Sequence, residues 1–123
     1  MWRGVIVIFV LVCTCGIATA GECAKDKRVV AACYDVHGRI RMYANMRPYL
    51  WPIGTKRLLG IFTTSEAPDV TYFWPDYVAR KVGLQTDLFG DFRVCPFTPK
   101  KEGRMQMVCI DSASNLIAKP IRQ

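Results

Sequence analysis

The chain has 123 residues, 51% of them hydrophobic, and carries 17 Lys and Arg against 10 Asp and Glu, a formal net charge of +7. That length suits a single domain. One histidine and no C-x-x-C pair exclude an ordinary structural zinc site.

Residues 1–20 read as a signal peptide. Arg3 precedes an apolar run from Gly4 to Val12, and Ala18-Thr19-Ala20 gives the small-x-small pattern for cleavage before Gly21. The remaining span, 21–123, carries 16 basic and 10 acidic side chains and no second hydrophobic run. A periplasmic or secreted location is expected. A basic exported domain suits anionic polysaccharide, lipid headgroups, nucleic acid or an acidic protein as partner.

Four cysteines lie beyond the signal segment: Cys23, Cys33, Cys95 and Cys109. An even number in an oxidising compartment reads as two disulfides. Cys95 and Cys109 flank a turn-like Pro-Lys-Lys-Glu-Gly stretch, so an antiparallel hairpin would set them opposite each other. That predicts Cys95–Cys109 with Cys23–Cys33. Cys33 bonded to either hairpin cysteine is the rival.

In chain order, residues 29–43 predict one long strand with Gly38 marking a bulge or bend. Ile40 and Met42 point to one face, Arg39, Arg41 and Tyr43 to the other. Residues 44–48 predict a turn, "YLW" a short extended piece and "TKRLLGIFT" the next strand. "WPDYVARKVG" predicts a helix, with Pro75 and Asp76 at its start and Gly83 past its end. "LFGDFRVC" and "MQMVCID" predict the two hairpin arms, and "NLIAKPI" a short edge strand ended by Pro120. Met105 and Met107 share a strand face and read as core filling.

Three strands, a helix and two strands form the element order of an OB-fold, a five-stranded Greek-key barrel. The fold class is therefore mainly β, a small disulfide-stapled OB-like barrel with one short helix; a small β-sandwich with a helix is the alternative. The motifs "VHGRIRMY", "GTKRLLGI", "GDFRVCPFT" and "MQMVCIDSA" resemble a group of small secreted bacterial proteins of unassigned function. The resemblance implies export and a single domain, and brings no catalytic residues with it.

From Val36 to Ser65 the chain holds five cations and no acid. In an OB-fold, ligands lie across strands two and three, bordered by the loops joining strands one to two and four to five. The candidate ligand residues are therefore Arg39, Arg41, Tyr43, Arg47, Tyr49, Trp51, Lys56 and Arg57, with Lys100, Lys101 and Arg104 on the last hairpin. Cations meet phosphate, sulfate or carboxylate groups, and aromatic faces stack on bases or sugar rings. Asp35 and His37 could share a face as an acid orienting an imidazole, but no nucleophile elbow or phosphate loop accompanies them. The expectation is an exported, non-enzymatic binding protein for an anionic or ring-bearing ligand, with no cofactor and no metal. The alternative is a periplasmic protein-binding or inhibitor module, or an envelope-assembly component.

Overall fold

In the computed structural model, residues 4, 22–64 and 70–121 are described; the expected signal peptide, apart from Gly4, lies outside them. The strands are β1 (Tyr34–Met42), β2 (Pro48–Pro52), β3 (Leu59–Ile61), β4 (Thr86–Pro96) and β5 (Met107–Pro120). Two one-turn helices accompany them, α1 (Glu22–Lys25) and α2 (Asp76–Ala79), the second between β3 and β4. The strands close in the order β1-β2-β3-β5-β4. All neighbouring pairs are antiparallel except β3 with β5. This is the OB-like, mainly β architecture expected from the element order.

β1 explains how the ring closes. It pairs with β2 through residues 38–42 and with β4 through residues 34–41. Val36, Ile40 and Met42 are buried, while Asp35 and His37 are exposed and Arg39 and Arg41 half-buried. The period of two thus sorts the strand into an inner and an outer face. Gly38 does not mark a bulge on β1, since the register with β4 runs through it unbroken and the register with β2 begins at it. It permits close approach instead: a Cβ there would lie 2.7 Å from Leu50 Cδ1 and 2.7 Å from the Trp51 carbonyl oxygen. The register shifts fall between β4 and β5, at Phe89/Asp91 and Arg93/Val94.

Inward side chains from every strand form one core, including Ile40, Leu50, Leu59, Leu88, Phe92 and Ile110. Val78 of α2 joins this core and is fully buried. The expected helix is shortened to one turn: Pro75 and Asp76 occupy its start as anticipated, but Gly83 pairs with Thr86 in an isolated bridge. The tail is not a separate edge strand, because residues 107–120 form one continuous β5.

The N-terminal lead differs most from expectation. Residues 29–33 are not strand; together with α1 they form a strap over β4 and β5. The Ala24 N–H donates to Asp111 Oδ1 at 3.1 Å, and the Val30 N–H to the Pro96 carbonyl at 2.9 Å. A second apolar cluster lies beneath the strap, built from Cys23, Cys95, Phe97 and Cys109 with Val29, Phe62, Phe73 and Met107. The Arg28 guanidinium lies 4.9, 4.5 and 5.2 Å from the centroids of Phe62, Phe73 and Phe97.

The disulfides join Cys23 to Cys109 and Cys33 to Cys95, which corrects the expected pairing and agrees with its rival for Cys33. Cys95 does stand opposite Cys109 in the β4–β5 register. Both hairpin cysteines are covered by the strap, and each bonds a strap cysteine instead of its cross-strand neighbour. Among the described residues no helix is long and apolar enough to cross a membrane.

Candidate functional site

The expected ligand residues divide between two adjoining surfaces. The first is the outer face of β1 and β2. Arg39 stands opposite Trp51 in the register, and its guanidinium lies 4.9 Å from the indole centroid. The Trp51 Nε1–H donates to the Thr55 carbonyl at 2.9 Å, which fixes the ring's edge while it stays half-buried. Arg39 Nε is buried without a hydrogen-bond partner. Tyr49 lies between Arg41 on one side and Gly60 on the other, and meets Tyr43 edge to face at 5.2 Å. Tyr43 and Arg47 are exposed at the β1–β2 turn.

Arg41 shares this face, but its charge is already engaged. Its Nε and Nη2 donate to Asp87 Oδ1 and Oδ2 at 2.7 and 2.6 Å. Those hydrogen bonds hold the Asp87 carboxyl below the ordinary carboxylate range, against the opposing effect of burial. Arg41 is raised by the same contact. It therefore orders the wall rather than presenting a free cation, which narrows the expected set.

Lys56 and Arg57 turn toward the second surface. There the β2–β3 loop faces the β4–β5 loop across a cleft of about 610 Å³, lined by Lys56, Arg57, Lys100, Lys101 and Arg104 with one acid, Glu102. None of the five cations forms an ion pair among the described residues. Gly103 carries a φ of +75° at the tip of the second loop, a conformation glycine adopts without the Cβ penalty.

Gln106 organises one wall. It is 7% exposed, and its Oε1 accepts from Tyr34 Oη at 2.7 Å and from Arg57 Nη2 at 3.2 Å. Its Nε2 donates to the Thr98 carbonyl at 3.1 Å. Gln106 and Tyr34 were absent from the expected site. The available signal was a lone amide between Met105 and Met107 on an otherwise apolar arm. Met107 packs against the apolar cluster beneath the strap, as expected of core filling, whereas Met105 is exposed; a Cβ at Gly60 would lie 3.0 Å from Met105 Sδ and 2.5 Å from Met107 Sδ. Gly60 leaves room for both thioethers beside Tyr49's neighbour in the register, and Met105 also lines the cleft. The aromatic face and the cationic cleft are thus contiguous through Gly60.

The acid–imidazole pair forms, with a different acid. His37 Nδ1 lies 2.8 Å from Asp91 Oδ1, and Asn115 Nδ2 donates to Asp91 Oδ2 at 2.8 Å. These bonds, Asn115's first, hold the Asp91 carboxyl below its usual range. Asp35 turns to Arg93 at 3.4 Å. Ser114 opposes Asp91 on β5, while His37 opposes Asp91 from β1. The carboxylate therefore stands between hydroxyl and imidazole, the wrong order for a base to activate a nucleophile. The sulfurs of Cys23, Cys95 and Cys109 lie within 4.8 Å of one another, yet all belong to disulfides.

A further cleft, of about 570 Å³, has Glu22, Asp26, Asp76 and Asp111 among its lining, together with Phe73, Trp74 and Tyr77. No cationic side chain lines it among the described residues, so opposite charges are segregated into separate clefts. No protein-family model, curated protein or solved structure matches this chain.

Proposed function

We propose that this chain is an exported, non-enzymatic binding protein that takes an anionic polymer in the cleft between the β2–β3 and β4–β5 loops. The observation that carries the reading is the convergence of Lys56, Arg57, Lys100, Lys101 and Arg104 on one cleft without an ion-paired carboxylate among the described residues. Cations arranged along a groove neutralise successive anionic groups and release their counterions. The adjoining Trp51 and Tyr49 offer ring faces for sugars or bases, with Arg39 supporting the indole. Cell-envelope polysaccharide, lipid headgroups and nucleic acid share this anionic chemistry. Two disulfides fit a periplasmic or secreted location.

The test is binding of the exported protein to heparin, a single-stranded DNA oligomer and anionic-lipid vesicles across a salt series. Affinity is expected to fall linearly on a log–log plot. For the DNA oligomer, Lys56→Ala/Lys100→Ala/Lys101→Ala should flatten that slope by about 2, at roughly 0.7 per lost cation. Trp51→Ala should weaken DNA binding by about 1–3 kcal/mol if the indole stacks on a base. Salt-insensitive binding, or binding unchanged in the triple variant, overturns the reading. Capture of an acidic protein with none of the three polyanions bound would favour a protein-docking module.

A further inference from the structure

We propose that the two disulfides act as one relay, in which a single dithiol equivalent releases both cross-links of the N-terminal strap. Three observations meet here. Cys95 and Cys109 are direct partners in the β4–β5 register, a separation that suits a disulfide. The sulfurs of Cys23, Cys95 and Cys109 lie within 4.8 Å of one another. Cys95 and Cys109 are fully buried and Cys23 nearly so, whereas Cys33 is only half-buried. An external thiolate therefore reaches Cys33 most readily.

Attack on Cys33 Sγ forms a mixed disulfide with the reductant, and Cys95 leaves as a thiolate. The reductant's second thiol closes on its first, departing as a cyclic disulfide and releasing Cys33 as a thiol. The Cys95 thiolate then attacks Cys109 Sγ. The Cys95–Cys109 bond forms, the Cys23–Cys109 bond breaks, and Cys23 leaves as a thiolate that takes a proton from water. Two electrons have entered from the dithiol. The protein holds one disulfide across β4–β5 and two thiols, both on the strap.

The exchange step trades one disulfide for another, while the strap gains chain freedom that favours the product. The barrel stays stapled. The Ala24–Asp111 and Val30–Pro96 hydrogen bonds and the Arg28 contacts then hold the strap without a cross-link, and their opening uncovers Phe62, Phe73 and Phe97.

The four cysteines fall on separate tryptic peptides, cut after Lys25, Arg28, Arg93, Lys100 and Arg104. The oxidised exported protein is titrated with dithiothreitol, alkylated with iodoacetamide and mapped. The two-thiol form is expected to carry label on Cys23 and Cys33, with Cys95 linked to Cys109. Label on Cys33 and Cys95 with Cys23–Cys109 intact overturns the relay, as does label on Cys23 and Cys109. Cys33→Ser removes the need for reductant: label should move from Cys95 to Cys23 in the folded variant. Label retained on Cys95 overturns the exchange step.

Discussion

At the scale of single residues, Asp87 and Gly38 determine how the aromatic face is held. The Asp87 side chain is 11% exposed and accepts two hydrogen bonds from Arg41. Its folded-state pKa is depressed, so its contribution is present above the unfolded value of about 3.9 and is lost as pH falls through the folded value. Asp87→Asn should therefore cost about 2 kcal/mol at neutral pH, the scale of hydrogen bonds to charged groups. In a domain of this size that lowers Tm by on the order of 10 °C. Thermal melts across pH should show the gap from the parent protein closing below about pH 4. Gly38 answers to packing. Ala there would force β1 away from Leu50 and from the Trp51 backbone, costing about 1–3 kcal/mol as overpacking does. Calorimetry checks the stability loss, and indole fluorescence checks the displacement of Trp51.

At the scale of elements, the strap and the β4–β5 pair depend on each other. The strap has little regular structure, and its noncovalent hold rests on a few backbone bonds and Arg28 over three rings. Arg28→Ala removes a cation–π contact of about 0.5–1 kcal/mol at an exposed site. The expected result is local opening, with amide exchange at Val30 faster by about 2- to 5-fold and core amides of β1 unchanged. An equal acceleration at Ile40 would mean that strap and barrel open as one unit. Alternation made the two faces of β1 legible. The strap was not legible, because "KRVVAAC" satisfies β-propensity while its backbone bonds are made with β4 and the loops around it. Propensity describes a segment, and pairing requires a partner within reach.

At the scale of the whole molecule, two cross-links supplement a modest core. A chain of 123 residues buries roughly two-thirds of its unfolded surface. Each disulfide contributes about 2–4 kcal/mol, against a total stability of about 5–15 kcal/mol for a typical domain. Full reduction with both bonds blocked by alkylation should therefore lower Tm by tens of degrees or abolish the cooperative transition, read by circular dichroism. The one-disulfide Cys95–Cys109 form should melt between the oxidised and fully reduced proteins. The same scale separates the charges. A cationic cleft and an acidic–aromatic cleft coexist, so the global excess of basic residues describes neither surface.

Composition, alternation and punctuation were enough to indicate a mainly β fold with an OB-like element order, an outer face of β1 carrying Arg39 and Arg41, and four cysteines available for two bonds. These are properties of neighbours in the chain, and a period of two reports them directly. Only the tertiary structure decided that Arg41 belongs to Asp87, that Arg57 is held by Gln106, that His37 takes Asp91 and that each hairpin cysteine bonds the strap. Those choices join residues tens of positions apart. Several partners of the right chemistry were available for each, and closure of the ring brought one of them within bonding distance.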